Sequence, residues 1–541
     1  MLKSPFITIL GLSWTLLVGG HAHNAAADSF AANRQSISSS SLNSLKVAGD
    51  ILKAEAENSE FIFPMQLAKG DFEVEFRLIT PDLDHSCFQI DLGADGFVFN
   101  GKTQQVTNTG NDGTRAFIDH PLDATFNQLL RSNKAFLITM KQLNQVFTLS
   151  VDGSELYQGS LNRDTYGEVA VIAREGTIQV ISINAKGNFL KDQSVPVFSR
   201  GEDSISHYRI PALLKATDDS LLIFAEARQD NHKDIGNINI VLRRSTDDGK
   251  TWGAIHTIMG LNTGDSCGNP CPVLDPETGR IHLVFQRIHP KKWGSGEYQL
   301  FHTYSDDHGI TWSAVSNIMD QMTKDWLNFH PGPGHGIVLQ NGQYAGRIMI
   351  PGWYVYHSDK GKRRFASTLI YSDDNGINWS IGGTAHDGSD ECMVAELADG
   401  SVMMSIRPER ENKDSDYRHF AISRDGGDHF EPTIIDRDLR ATVCQTSILV
   451  DSEKDQIFFS YPASGSFAPD AATRRAGLSV RTKTEAGAWG PLKMIYAGRS
   501  GYSDLTKIGQ DTLGIVFEAS RDTYIGDIRF GTIKTNDIIL P

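Results

Sequence analysis

The chain has 541 residues, 40% of them hydrophobic and 22% charged, with a formal net charge of −15 at pH 7. That length exceeds one ordinary domain, and the apolar fraction is enough for two packed cores, which excludes a disordered chain. The acidic balance excludes nucleic acid and anionic membranes as partners of the surface at large, while leaving room for arginines gathered in one pocket around a small anion.

Lys3 precedes an apolar run from Phe6 to Val18, and small residues follow around Ala22 to Ala27. This is the pattern of a cleavable secretory signal over 1–27, so the mature protein is expected to be secreted or periplasmic. Residues 28–45, rich in Ser, Ala and Asn without apolar periodicity, read as a linker. No later segment has the length of a membrane span, so none is expected in the mature chain. Five cysteines (Cys87, Cys267, Cys271, Cys392, Cys444) are too few for a disulfide-built fold. A local bridge between Cys267 and Cys271 stays open, and no second Cys/His pair stands at zinc-ligand spacing.

From 46 to 190 the alternation of Phe72-Glu-Val-Glu-Phe-Arg-Leu78 and of Phe147-Thr-Leu-Ser-Val151, the latter closed by Asp152-Gly153, predicts strands and a hairpin. This is the signature of a β-sandwich. Gly70-Asp-Phe-Glu-Val-Glu-Phe76 and Leu149-Ser-Val-Asp-Gly153 resemble segments of concanavalin-type jelly rolls, which implies carbohydrate binding as one role beside that of a spacer. Asp82, Asp84 and Asp91 have the chemistry for Ca²⁺, but a solvated acidic loop is the preferred reading.

A boundary is expected near Val195-Pro196. Beyond it, one pattern recurs: Ser245-Thr-Asp-Asp-Gly-Lys-Thr-Trp252, Ser305-Asp-Asp-His-Gly-Ile-Thr-Trp312, Ser372-Asp-Asp-Asn-Gly-Ile-Asn-Trp379 and a degraded Ser423-Arg-Asp-Gly-Gly-Asp-His-Phe430. Each copy sets an Asp two residues before a Gly, so that the carboxylate caps its own turn while an aromatic anchors the turn to a core. The copies start 60, 67 and 51 residues apart, with β-type segments between. Such a period signals radially repeated sheets, and the length from 195 to 541 divided by it gives a six-bladed β-propeller. The segment Arg481 to Trp489 reads as a further copy that has lost its Asp. The chain is therefore expected to be all-β. The repeat resembles the Asp box of bacterial and animal sialidases, a structural turn also found in unrelated secreted propellers.

Functional residues follow from a second layer of resemblance. Tyr208-Arg-Ile-Pro211 matches the sialidase segment that places an arginine, here Arg209, at the propeller centre facing a substrate carboxylate. Arg407, closing Val402-Met-Met-Ser-Ile-Arg-Pro408, and Arg475, opening Arg475-Ala-Gly-Leu-Ser-Val480, resemble the other two members of an arginine triad; Arg475 is preferred to the adjacent Arg474. Guanidinium suits the task because it is planar, permanently charged and bidentate toward a carboxylate. Three such groups repel one another, and Glu518, in Val516-Phe-Glu-Ala-Ser520, matches the carboxylate paired with the first arginine.

The resemblance implies Asp234, preferred to Asp230, as acid/base. It implies Tyr502, in Ser500-Gly-Tyr-Ser-Asp-Leu505, as nucleophile and Glu391, preferred to Glu396, as the base that activates it. A tyrosine in place of the usual second carboxylate has an electrostatic reason. A carboxylate would approach the substrate's own carboxylate at a cost of about 4 kcal/mol for ~4 Å and an effective dielectric of ~20. A neutral phenol avoids that contact if a base takes its proton. The loop Phe329 to Ile337 also resembles a family loop near the site, and Trp326 and Trp353 either stack on sugar or pack between blades. Together these matches imply an exo-α-sialidase acting on sialylated glycans with net retention, as a monomer, with no metal or organic cofactor. A trans-sialidase or intramolecular trans-sialidase and a catalytically silent sialic-acid lectin remain as alternatives.

Overall fold

The computed structural model describes residues 45–46, 52–54 and 59–538, apart from 94, 111–122, 126–128, 160–166, 261–264, 290–297, 323–324, 410–411, 464–474 and 521–524. The expected signal and nearly all of the linker lie outside the described residues, as does Arg474. The chain divides into two compact units, 1–191 and 192–541. Among the described residues every regular element is a strand or a short 3₁₀ turn, and no helix is long and apolar enough to cross a membrane.

The first unit is built on the strand Ser59–Ile79. In its second half Phe72, Val74, Phe76 and Leu78 are buried while Glu73 and Arg77 alternate with them, so one face makes the core. That half pairs with Phe136–Leu143 and Ile178–Lys191, and the first half pairs with Gly167–Glu175. Phe88 stacks on Phe99 at 4.9 Å and Phe97 on Phe147 at 5.2 Å inside a single apolar cluster. The expected Asp152-Gly153 turn is present, with both residues at positive φ (48° and 81°), and it joins Val146–Val151 to Ser154–Gly159. The acidic loop corrects the reading of one residue: Asp91 is fully buried on the strand Cys87–Leu92 and accepts from Gln89 at 2.5 Å, so it is not solvated.

The second unit is a succession of antiparallel sheets. The groups begin with the strands His207–Lys215, Ser266–Leu274, Asn328–Pro331, Ser389–Glu396 and Ser447–Asp451. The strand Lys493–Gly509 serves twice: its first part pairs with Ala476–Lys483 and its second part with Thr512–Ser520. Val195–Phe198, at the start of the unit, pairs with Asp527–Lys534, at its end. Successive groups pack beside one another in chain order, Ser389–Glu396 resting against Ile348–His357 of the group before it, and Lys493–Gly509 returns to His207–Lys215. The pairing of the first strand of the unit with the last ties its two ends together, and radial repetition of this kind leaves only short edges.

The repeated turns hold this succession together. In the first, Asp247 accepts from the Thr251 amide (2.9 Å), the Thr251 hydroxyl (2.6 Å) and the Ser245 hydroxyl (2.7 Å), while Ser245 accepts from Gly249 N–H at 2.9 Å. Those bonds, the Thr251 hydroxyl first, hold the Asp247 carboxyl down at about 2. Gly249 lies at φ 81°, and a Cβ there would meet the Phe530 ring at 2.1 Å. The amide and serine bonds recur at Asp307, Asp374 and Asp425, with the Thr311 hydroxyl, the Asn378 side-chain amide and the His429 ring in the place of the Thr251 hydroxyl. Trp252 packs edge-on against Phe530, Trp312 against Phe224 and Trp379 against His302, each reaching a strand that precedes its own in the succession. Trp489 does the same by donating to Asp436 at 2.7 Å, with no Asp in its own turn.

Candidate active site

Four leading strands carry irregularities at the same end. Register shifts fall between Arg209 and Ala212, Gly268 and Cys271, Ser389 and Cys392, and Ser500 and Ser503. Each releases one or two residues from the ladder and re-aims them, as β-bulges do beside active sites. Arg209, Asn269, Glu391 and Tyr502 lie at or in these bulges.

Tyr502 is buried, and its hydroxyl donates to Glu391 Oε1. Arg407 Nη1 donates to Glu391 Oε2 and also reaches the Tyr502 oxygen at 3.3 Å. Arg209 and Arg475 stand over the Tyr502 ring, their guanidinium carbons 5.1 and 5.2 Å from its centroid. Burial, followed by Glu391, pushes the phenol well above its ordinary range, and the three arginines pull the other way. The three expected arginines are thus brought together around one phenol, with a carboxylate ready to take its proton.

Glu518 is the buckle between the first arginine and the tyrosine. Its carboxylate accepts from Arg209 Nε and Nη2 (3.0 and 3.1 Å), from Ile210 N–H (2.9 Å) and from Tyr502 N–H (3.2 Å). Ile210 is held at φ 57°, a strained conformation for a β-branched residue, where its N–H meets Glu518. A Cβ on Gly501 would stand 2.3 Å from Glu518 Oε2, so glycine is what lets this carboxylate reach the tyrosine backbone.

Asp234 lies on the exposed loop before Ile238–Ser245 and is paired with Arg228 Nη1 (2.8 Å) and Arg209 Nη1 (3.4 Å). Burial pushes its carboxyl up, but Arg228, Arg209 and Arg475 outweigh it and hold the group below its ordinary value. Asp230 is exposed, and Glu396 accepts from the amides of Gln340 and Asn341, tying down a turn. Glu396 is thereby engaged away from Tyr502, whereas Asp234 and not Asp230 is the carboxylate paired with Arg209 and Arg228.

Several residues of the cluster were not expected. Arg228 is buried and donates twice to Glu226 (2.9 and 2.7 Å), whose other oxygen accepts from Asn269 N–H. Alternation along Leu221–Arg228 offered a signal, since Glu226 and Arg228 face the same way as Leu222 and Phe224. Asp390 lies beside Glu391, 3.3 Å from Arg407 Nε. Arg418 is buried behind it and donates to Ser405 Oγ and the Cys444 carbonyl. Asp504, two residues after Tyr502, is fully buried and accepts from Leu213 N–H, Ser447 Oγ and His335 Nδ1 (all 2.9 Å), which joins three leading strands to the 329–337 loop.

Trp326 stacks on Tyr354 at 4.6 Å and on Phe329, and Trp353 stacks on His330 at 3.8 Å. Cys267 and Cys271 are free buried thiols on one strand, so the open question of a bridge between them is answered in the negative. No group of three His, Cys, Asp or Glu side chains among the described residues is placed to hold a metal ion.

Residues 219–515 match the family described as BNR repeat-like domain. The chain is 32% identical over 342 residues to a sialidase of Micromonospora viridifaciens, covering 59% of this chain and 50% of that protein. It is 30% identical over 323 residues to Sialidase-3 of Rattus norvegicus, covering 54% of this chain and 74% of that protein. The chain thus spans half the length of the Micromonospora relative. Among solved structures it is similar to the Hadza microbial sialidase Hz136 (TM-score 0.57, 21% identity, 92% of this chain and 98% of that one). It is similar also to a leech intramolecular trans-sialidase in complex with 2,7-anhydro-Neu5Ac (TM-score 0.56, 16% identity, the same coverage). These structural likenesses show a shared all-β propeller fold.

Proposed function

The chain belongs to the sialidase family, and on that premise we propose that it is an exo-α-sialidase, a glycoside hydrolase that releases terminal sialic acids from glycoconjugates with net retention. The observation that carries this reading is the Tyr502 hydroxyl on Glu391 amid three guanidinium groups. Arg209, Arg407 and Arg475 take the substrate carboxylate and so fix the anomeric carbon over the phenol. The Tyr502 oxygen attacks that carbon while its proton passes to Glu391, and Asp234, which the arginines hold ionised in the free protein and which takes up a proton from solvent before this step, protonates the departing glycosidic oxygen. Asp234 then deprotonates a water that displaces Tyr502, two inversions giving retention.

The second unit is read as a six-bladed propeller, each blade led by one of the strands named above. The first unit is read as a jelly-roll β-sandwich with carbohydrate binding as one role beside that of a spacer. Export by the 1–27 segment and a monomeric state complete the reading, and size-exclusion chromatography of the secreted protein tests both.

A second reading, intramolecular transfer, is favoured by the likeness to the leech structure. One experiment separates them. Turnover of a sialyl-α-aryl glycoside followed by NMR should give the α-anomer of free sialic acid first. An anhydro sugar would establish transfer, the β-anomer first would contradict retention, and no product would overturn the sialidase reading.

A further inference from the structure

Among the described residues the arginine cluster is balanced in charge. Arg209, Arg228, Arg407, Arg418 and Arg475 stand among Glu226, Asp234, Asp390, Glu391 and Glu518, five guanidinium groups against five carboxyls. A substrate carboxylate arriving on the triad adds one negative charge to a site largely withdrawn from water, where an uncompensated charge is costly.

The five carboxyls are not equally able to absorb that charge. Glu226 takes two hydrogen bonds from Arg228, and Glu518 takes two from Arg209 plus two amides. Asp234 accepts from Arg228, and Glu391 accepts from Arg407 and Tyr502. Among the described residues Asp390 has the amide of Glu391 (2.8 Å) and an ion pair to Arg407 Nε at 3.3 Å whose geometry is not that of a hydrogen bond. It is the carboxyl least held in its charged form.

Resting on the sialidase reading, we propose that Asp390 is a positioning residue that acts through Arg407: when the substrate carboxylate docks, Asp390 takes a proton from solvent, releasing the Nε side of Arg407 and restoring neutrality to the cluster. No covalent bond changes in this step. Burial first, with Glu391 adding and Arg407 opposing, already pushes the Asp390 carboxyl up to about 7 in the free protein. The charged groups that face it are Glu391 on its own strand, Arg407 on Val402–Pro408 and Arg418 on Tyr417–Ser423. Tyr502 and Arg475 face it through Glu391.

The test is calorimetric binding of a sialic-acid-like carboxylate inhibitor that is not turned over, in buffers of differing ionisation enthalpy. At pH 8 the wild type should take up more than ~0.5 proton per site, and below ~0.2 at pH 5.5, where Asp390 is already protonated. Asp390→Asn should abolish the uptake, and it should remove a roughly tenfold rise in KM between pH 6 and 9 expected of the wild type. Inhibitor binding by the wild type without proton uptake at pH 8 overturns the proposal, whether or not the variant folds. Uptake that persists in Asp390→Asn overturns it equally. Absence of inhibitor binding together with absence of sialoside turnover would bring down the sialidase reading itself.

Discussion

The difference between an arginine that binds a carboxylate and one that braces the site lies in what each already holds. Arg228 spends Nε and Nη2 on Glu226 and Nη1 on His232 O and Asp234, whereas Arg407 gives Nη1 to Glu391 and Tyr502. Arg407→Lys is expected to lower kcat/KM by about 10²-fold or more, because a compact ammonium cannot bridge Glu391 and a substrate carboxylate at once. Near-normal kcat/KM at an unchanged melting temperature would remove Arg407 from the triad. Asp234→Asn should cost most on substrates with poor leaving groups and little on activated aryl sialosides, since protonation of the departing oxygen matters only for the former. A loss uniform across leaving groups would assign Asp234 a binding role. Arg209, Arg407, Arg475, Glu391 and Tyr502 were legible in the sequence because each sits in a short segment with its own pattern. Asp390 and Arg418 were not, since a carboxylate beside another carboxylate and an arginine inside a strand carry no signal until Val402–Pro408, pairing with Ser389–Glu396 on one side and Tyr417–Ser423 on the other, brings them to the same arginine.

At the level of the element, the turn chemistry was the most legible part of the chain. A carboxylate two residues before a glycine needs no tertiary information to close its own loop, and all four turns carry the expected bonds. Asp247→Ala should lower stability toward denaturant by about 1 kcal/mol, with catalysis unaffected in the folded fraction. An unchanged denaturation midpoint would show that Trp252 against Phe530 alone anchors that turn. The bulges were invisible, because the sequence does not mark where a ladder slips. Asp91 was misread for a related reason: an acidic residue within an apolar strand looks like a loop until Gln89, itself buried and held by the exposed Arg174, is seen to donate to it.

For the second unit as a whole, Asp504 and His335 form a fastening that joins separate sheets. Burial pushes the His335 imidazole down, but the Asp504 carboxylate outweighs it and holds the ring above its ordinary 6.5. A base whose folded value is raised contributes its stability fully below its unfolded value and loses it as pH rises through the folded one. Stability of the wild type should therefore fall as pH rises from about 6.5, and His335→Gln should flatten that slope; the same slope in both proteins would remove the pair from the account. The same fastening leads along Lys493–Gly509 to Tyr502, so the nucleophile is positioned by several sheets at once. Its role is tested most directly by mass spectrometry after treatment with a mechanism-based 3-fluorosialyl fluoride, which traps the glycosyl-enzyme. The label should fall on the peptide that contains Tyr502, and Tyr502→Phe should take none while still binding a sialic-acid-like inhibitor. A label on Glu391 or Asp234, or full turnover by Tyr502→Phe, would contradict the tyrosine mechanism.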